Sequence, residues 1–391
     1  MGKVIEQLIR VNRKASSILG IKSSIVKANF YFNEVSRRQR IAESYYRGIM
    51  PYLDRKPLTK EQVDAIHQVW HSREGMYDIK WFEFFNSLHP TIGTEVCYFT
   101  PFDYWLTYMD TYLVPPEKSK VIDDKNLYDM LFTEVKQPKT VLHIASGIYM
   151  DETYGPLSDR EAVEHCRAAG NIVIKSANGS CGGGGISFWN AEKDSHDDLE
   201  RLLHRGGDYV VQELVHQHPV MASLCSTSCN TIRMLSYVSG QKSKAVTAYV
   251  RFGKEGSRVD NGSAGGYMAT INDDGVILNN AVDFKNQKTD ISKTYDGPRV
   301  IPNYKKCQEL AERIAFKIAP FCRAISWDFA IDENSDPVLI EVNLGLTSMQ
   351  FFQWINGPVM KDYIPDLLDE MPAERFPKNA FTDFVLRSIN R

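Results

Sequence analysis

Four stretches of this chain combine residue types and spacings suited to phosphate and carboxylate chemistry. In NIVIKSANGSCGGGGISFW (171–189), an apolar strand ends on Lys175. Ser176 then opens a loop holding Gly179 and the run Gly182, Gly183, Gly184 and Gly185. Glycines permit positive φ and close backbone approach, and their N–H groups can cradle phosphate oxygens. Lys175 supplies a point positive charge for the same phosphates. The pattern GxxxxGK[ST] is absent, and a strand rather than a helix is expected after the loop. Neither a Walker loop nor a good dinucleotide fingerprint is therefore present. A hairpin tip without a ligand is the other reading. In DYVVQELVHQHP (208–219), an apolar strand carries Gln212 and Glu213, followed by Leu214 and Val215. A carboxylate on a strand edge can accept from an adenine amino group, with neighbouring backbone groups meeting the ring edge.

In SWDFAIDENSDPVLIEVNLG (326–345), Asp328 lies on one expected strand and Glu341 and Asn343 on the next. Alternation puts Glu341 and Asn343 on one face, and a hairpin brings Asp328 opposite them. Three oxygen ligands facing one point suit Mg2+. Two acidic side chains on the inner side of an apolar hairpin are costly without a cation. The competing reading is a solvent-facing strand edge. The last stretch is basic. Arg233 in NTIRMLSYV and Arg251 in AYVRFG sit on two strands expected to pair, so both can point into one cleft and grip phosphate or carboxylate. Asn230, and Asn261, Ser263 and Gly265 in DNGSAGG (260–266), are candidate substrate contacts.

The elements that must position these residues follow from periodicity. Residues 1–48 read as helical, with Val4, Ile5, Leu8, Ile9, Val11, Ile18 and Leu19 on one side and basic residues between them. Thr59 and Gln62 form a capping box ahead of Val63, Ile66 and Trp70 at helical spacing. Ser158 and Glu161 form another before a helix ending near Gly170. Strands are expected at 141–145, 171–175, 186–189 and 209–214, and in hairpins 231–239/244–252 and 325–331/338–342. Two more flank the NDDG turn at 272–275. Further helices are expected at 127–132, 304–319 and near 361–370. The mixture gives an α+β or α/β construction. It divides into a helical N-terminal region at 1–95, a subdomain at 96–215 with the glycine loop, and a subdomain at 216–391 with the carboxylate hairpin. Trp81, Phe82, Phe84 and Phe85 read as core rather than as a sugar platform.

Composition bounds the function classes. The 391 residues are 43% hydrophobic and 24% charged, which fits a folded chain of two or three subdomains. A formal net charge of −3 argues against general nucleic-acid binding. Residues 1–60, however, hold 13 Lys+Arg against 4 Asp+Glu. That segment either meets an anionic membrane surface from the cytoplasmic side or packs as a solvated helix on the body. The seven cysteines show no zinc spacing and read as free thiols in a reducing cytoplasm. No signal-peptide core or apolar run of membrane-spanning length follows the basic start, and Glu6 rules out a myristoylation signal.

The order of these motifs resembles the ATP-grasp superfamily over about residues 120–350. VIKSANGSCGGGGI is similar to the lysine and glycine loop of its biotin carboxylase branch. DDK at 123–125 resembles an upstream lysine that also touches the phosphates, which implies Lys125. QEL at 212–214 is similar to the adenine-binding linker, and SWDFAID…PVLIEVN to the Mg2+ hairpin, which implies Asp328, Glu341 and Asn343 as ligands. NTIRMLSYV, YVRFGKEGSRVDNGSAGG and IEVNLG look most like the sugar-transfer-associated group. The resemblance implies the ATP-grasp fold, two α+β subdomains clasping ATP. It also implies ATP and Mg2+ as cofactors and ligation of an amine to a sugar carboxylate through an acylphosphate. Arg233, Arg251 and Lys175 would then be the catalytic groups. A kinase acting on a hydroxyl and a non-catalytic ATP-binding scaffold are the alternatives. The chain departs from the pattern at Gly345, where many members carry arginine, and in residues 1–95, which match no motif.

The basic segment yields a direct expectation. Deleting residues 1–48 weakens co-sedimentation with anionic vesicles if the segment is a membrane element. Unchanged vesicle binding, or none by the full chain, assigns it to packing on the protein.

Overall fold

The computed structural model describes residues 22–178, 185–345 and 347–372, and of 22–34, Glu117, Ser263 and Thr294 the backbone alone. The apolar stripe at 4–19, Cys181 and Gly182–Gly184 lie outside the described residues. The chain forms two compact units, one comprising residues up to Met109 and from Met360 onward, the other Asp110–Val359. Among the described residues, no helix is long and apolar enough to cross a membrane.

In the first unit, α1 (Lys22–Ile49), α2 (Lys60–Trp70) and α3 (Lys80–Leu88) surround an aromatic core. The capping box forms as expected: Thr59 Oγ1 accepts from the Gln62 amide at 3.3 Å, and Gln62 Oε1 accepts from the Thr59 amide at 2.9 Å. Trp70, Trp81, Phe82, Phe84, Phe85, Phe99 and Tyr104 are all buried. Trp70 meets Tyr104 edge-on at 5.5 Å and donates its indole N–H to the Cys97 carbonyl. Arg73, also buried, donates to the Leu368 and Met371 carbonyls and so holds the C-terminal end of the helix Ile364–Glu370. Asp103 accepts from the Asp78 and Tyr104 amides, both at 2.8 Å, yet burial pushes its carboxyl up to about 7.

The second unit holds two antiparallel sheets. The first has the order β3-β2-β1-β6-β4-β5, from β1 (Thr140–Ala145), β2 (Ile148–Met150), β3 (Pro156–Leu157), β4 (Asn171–Ser176), β5 (Ile186–Asn190) and β6 (Tyr209–Glu213). One face is covered by α4 (Asp159–Ala169) and α5 (His196–Leu203), whose Ala162, Val163, Cys166, Leu199 and Leu203 pack with Leu142, Ile144, Ile172, Ile174 and Val211. Alternation leaves His143, Val173, Lys175, Val210 and Gln212 on the other face.

The second sheet runs β11-β10-β9-β8-β7-β13-β14. Its strands are β7 (Thr231–Ser239), β8 (Lys242–Phe252), β9 (Tyr267–Ile271), β10 (Val276–Val282), β11 (Lys288–Asp290), β12 (Arg299–Val300), β13 (Ala324–Ile331) and β14 (Pro337–Asn343), with β12 pairing β10. Both expected hairpins form. Helix α6 (Tyr304–Lys317) packs across β7, β8 and β13. A helix absent from the sequence expectation, α7 (Met349–Asn356), lies against β8 and β9.

β14 ends the sheet path, so its outward backbone groups need partners from elsewhere. The chain between Tyr128 and Lys136 supplies them. Tyr128 Oη accepts from the Val342 amide at 3.1 Å and donates to the Val342 carbonyl at 3.3 Å, and the Lys136 carbonyl accepts from the Leu339 amide at 2.8 Å. Burial holds the Tyr128 hydroxyl well above its ordinary pKa, so it stays protonated and able to donate.

Two measurements check this reading. Tyr128→Phe leaves the buried Val342 groups without their partner and lowers stability by about 1–3 kcal/mol, seen as a lower urea midpoint. For Asp103, the native pKa lies above the unfolded one. Its contribution to stability is full below the ordinary carboxylate range and is lost as pH rises through about 7. Asp103→Asn therefore flattens the decline in melting temperature across that window.

Candidate active site

Strand register builds one face of the second sheet into a row of charges. Glu341 stands opposite Asp328, Asp328 opposite Arg233, and Arg233 opposite Tyr249. Two residues along, Thr231 stands opposite Arg251 on the same face. Intervening positions carry Ile232, Met234, Trp327 and Phe329, all buried apolar residues directed to the other face. Hydrophobic alternation thus forces the polar set into one place. Beside it, α7 covers the same face. Phe352 packs edge-on against Tyr249 at 5.0 Å, and Asn356 donates to Thr247 Oγ1.

Asp328 is the centre of this face and is 1% exposed. Arg233 binds it bidentately, Nε to Oδ1 at 2.7 Å and Nη2 to Oδ2 at 2.6 Å. Arg251 Nη2 adds a bond to Oδ2 at 3.1 Å, and Asn343 Nδ2 one at 3.3 Å. Burial alone would raise the Asp328 pKa, but the two guanidiniums outweigh it and hold the carboxyl below its ordinary range. Burial likewise works against Arg233, whose pKa Asp328 nevertheless raises. Arg251 also reaches Asp260 at 3.1 Å and Thr231 Oγ1, and Thr231 donates to Asp260. Asp260 is less well compensated, and burial raises its pKa. Arg233 Nη1 continues to Ser348 Oγ at 3.0 Å, just ahead of α7.

The first sheet contributes lysines. Lys175, on the face opposite α4 and α5, donates to Gln212 Oε1 at 2.9 Å. Burial lowers its pKa; Cys229 and Glu341 act against that, and Lys125 adds a smaller repulsion. Lys125 pairs with Glu341 at 2.8 Å, and its amide donates to the Ala177 carbonyl just beyond β4. The two lysines and the carboxylate row therefore meet in one place within this unit. Cys229, not singled out by the sequence reading, lies among Lys175, Arg251, Asp260 and Asp328, and burial pushes its thiol up to about 12. Asp123 also sits near Lys125 and Glu341, and burial raises its pKa.

Other expected positions fall elsewhere. Strand β6 is flanked by β1 and β4, so Glu213 is the end of an interior strand and not on a sheet edge. Alternation turns it away from Lys175, and it pairs with Lys139 at 2.7 Å. Leu214 and Val215 follow in the connection toward the second sheet. Asn230 is fully buried, and its amide is occupied by the Met221 and Cys225 carbonyls and by Ser228 Oγ, bonds that hold the loop before β7. Asn261 precedes a turn at Gly262–Ala264 that contains Ser263, and the Asn261 carbonyl accepts from the Gly266 amide. Gly265 has φ +88°, and a side chain at Gly266 would strike the Asp260 carbonyl at 2.5 Å, so this turn itself demands both glycines. Of the glycine run only Gly185 is described. Its φ is +84°, its carbonyl accepts from the Ser176 amide at 3.2 Å, and Ser176 Oγ donates to Asn178.

The oxygen donors here suit Mg2+, with Glu341 and Asn343 the more open of the three. Asp328 is mostly committed to arginine, though Oδ1 keeps a lone pair beyond its bond from Arg233. Among the described residues, no group of three or more His, Cys, Asp or Glu side chains is arranged to hold a metal. The set of two carboxylates and one amide is compatible with a site that substrate phosphates complete.

No curated protein matches the sequence. Among solved structures the chain is similar to the ATP-grasp ligase PsnB with its minimal precursor, at 15% identity over 66% of this chain and 62% of that one, TM-score 0.36. It is similar to a Campylobacter jejuni biotin carboxylase at 14% identity over 65% and 46%, TM-score 0.36. For the D-alanine-D-alanine ligase from Coxiella burnetii the values are 10% identity over 64% and 59%, TM-score 0.36. The chain spans less than two thirds of each of these relatives. Membership rests instead on the family described as sugar-transfer associated ATP-grasp, whose model matches residues 107–366, more than half of the chain and the whole of the site above. The chain therefore belongs to the sugar-transfer associated ATP-grasp family.

Proposed function

We propose that this protein is an ATP-dependent carboxylate–amine ligase, joining an amino acid or similar amine to a sugar carboxylate in surface-polysaccharide assembly. ATP and Mg2+ are the cofactors that family membership carries. The observation behind the reading is the convergence of Lys125, Lys175, Arg233 and Arg251 with Asp328, Glu341 and Asn343. Four cations around an oxygen-donor set suit a polyphosphate and an acceptor carboxylate.

In this reading the acceptor carboxylate attacks the γ-phosphorus of ATP, the bond to the β-phosphate oxygen breaks, and ADP leaves. The amine then attacks the acyl carbon of the acylphosphate and expels phosphate, its proton passing to the departing phosphate or to water. Lys125 and Lys175 hold the α- and β-phosphates, and Gln212 orients the Lys175 ammonium. Arg233 and Arg251, preset by Asp328, steady the transferring phosphoryl group or the acceptor carboxylate at little reorganisation cost. Glu341, Asn343 and the remaining lone pair of Asp328 would hold Mg2+, which neutralises phosphate charge when bound. In this reading the reaction takes place in the cytoplasm, and the basic residues of 1–48 that do not pack in the first unit, as Arg38 does against the Leu106 carbonyl, meet an anionic membrane surface.

Product analysis tests this. With Mg-ATP, candidate amino acids and a uronic-acid polysaccharide extract, ADP and free phosphate form only when acceptor and amine are both present. Phosphate retained on the acceptor without need of an amine replaces the ligase with a kinase, and ATP binding without turnover in any mixture favours a scaffold. Glu341→Gln lowers turnover roughly 100-fold or more with the fold intact. Full activity in that variant removes Glu341 from the metal site.

A further inference from the structure

We infer that His143, through Asn126, is a positioning residue for Lys125, and so sets nucleotide affinity without touching the nucleotide. The inference rests on the nucleotide-binding role proposed above for Lys125.

His143 interrupts the apolar run of β1 and is fully buried. Register puts it in one cross-strand row with Val210 and Lys175, on the face that carries the lysine. A buried imidazole needs polar partners, and among the described residues Asn126 and Asp129 supply them, both in the segment that carries Lys125. Nδ1 lies 3.2 Å from Asn126 Oδ1. Nε2 lies 3.3 Å from Asp129 Oδ2, an ion-pair distance out of line for a hydrogen bond. The ring stacks on Tyr154 at 4.3 Å with planes 9° apart.

Asn126 is the residue next to Lys125, and it is held at each of its polar groups. Its Nδ2 donates to the Ile144 carbonyl at 3.2 Å, its amide to Asp124 Oδ1 at 2.9 Å, and its carbonyl accepts from Tyr154 Oη at 2.8 Å. On the other side, the Lys125 amide is tied to the Ala177 carbonyl at 2.8 Å. The backbone that aims Lys125 at Glu341 is therefore clamped from both ends. His143 is the side chain of the Lys175 face that joins this clamp, beside the backbone ties to Ala177 and Ile144. Asp129, bonded by Thr140 Oγ1 at 2.7 Å, braces the far side of the imidazole. The proposed catalytic mechanism gives none of these groups a role.

The test is a double-mutant cycle read by nucleotide affinity, using a fluorescent ATP analogue with Mg2+ and the full chain. His143→Phe keeps the stacking volume and removes both polar contacts. It weakens binding roughly 10-fold in the wild-type background, raising KM for ATP more than it lowers kcat. In a Lys125→Met background, where the ammonium is already gone, the same change has no further effect. Tyr154→Phe keeps the stacked ring and removes the hydroxyl that bonds the Asn126 carbonyl and meets the Met130 backbone; it weakens binding in the same direction by less, which keeps the question answerable should His143→Phe not fold. Equal losses in both backgrounds assign His143 to general stability and overturn the inference, as does unchanged affinity in both His143→Phe and Tyr154→Phe. A wild-type chain that binds no nucleotide overturns the site reading itself, and the inference with it.

Discussion

The buried carboxylate of Asp328 is the constraint around which the second sheet is organised. A charge with almost no solvent contact is tolerated only where opposite charge and hydrogen bonds surround it. Two guanidiniums on successive strands and an amide on the hairpin partner meet that need. The consequence runs outward. Arg233 is turned toward Ser348 and the start of α7, and Arg251 toward Thr231 and Asp260, so one carboxylate fixes two arginines at defined positions. A flexible arginine loses rotamer entropy when it grips a phosphate, and these two have already lost it on folding.

A second requirement is backbone saturation at β14. The end strand of the path lies beside the carboxylate row, and the chain from Tyr128 to Lys136 satisfies its outward groups. The same segment begins just after Lys125, so covering the strand also delivers that lysine to Glu341. The tie of Lys125 to Ala177 carries the link on to β4 and Lys175. Saturating an edge and assembling a charged site are here one structural event. That explains why a tyrosine, buried and therefore protonated, stands where it can both donate and accept.

Charge balance shapes what the site can receive. Lys125 is neutralised by Glu341, and Arg233 and Arg251 by Asp328 and Asp260. On the proposed reading, an incoming magnesium polyphosphate would exchange these internal pairs for equivalent external ones, with the metal held by the carboxylates and the phosphates by the cations. Such an exchange leaves few buried charges uncompensated at any stage. It suits the proposed chemistry, which depends on placing charge rather than on a protein nucleophile. The Cys229 thiol, held protonated by burial, accords with that.

Local pattern determined much of this protein. Alternation of apolar residues placed Arg233, Asp328 and Glu341 on one sheet face, and the capping boxes at Thr59 and Ser158 marked where helices begin, because both effects act over a few residues. The motif order carried the family. The sequence could not decide which polar groups spend their hydrogen bonds on one another. Asn230 reads as a candidate contact until its amide is seen filled by three loop partners. Glu213 reads as an edge carboxylate until β6 is found between two neighbours. Helix α7 follows Ser348, which sits at positive φ and has its hydroxyl bonded by Arg233 instead of capping the helix, and tertiary contact with Tyr249 gives it its place. The bracketing of Asp328, the Tyr128 cap on β14 and the His143 cluster each join residues far apart in the chain. Only the tertiary structure decided them, because their energy exists only once distant strands have met.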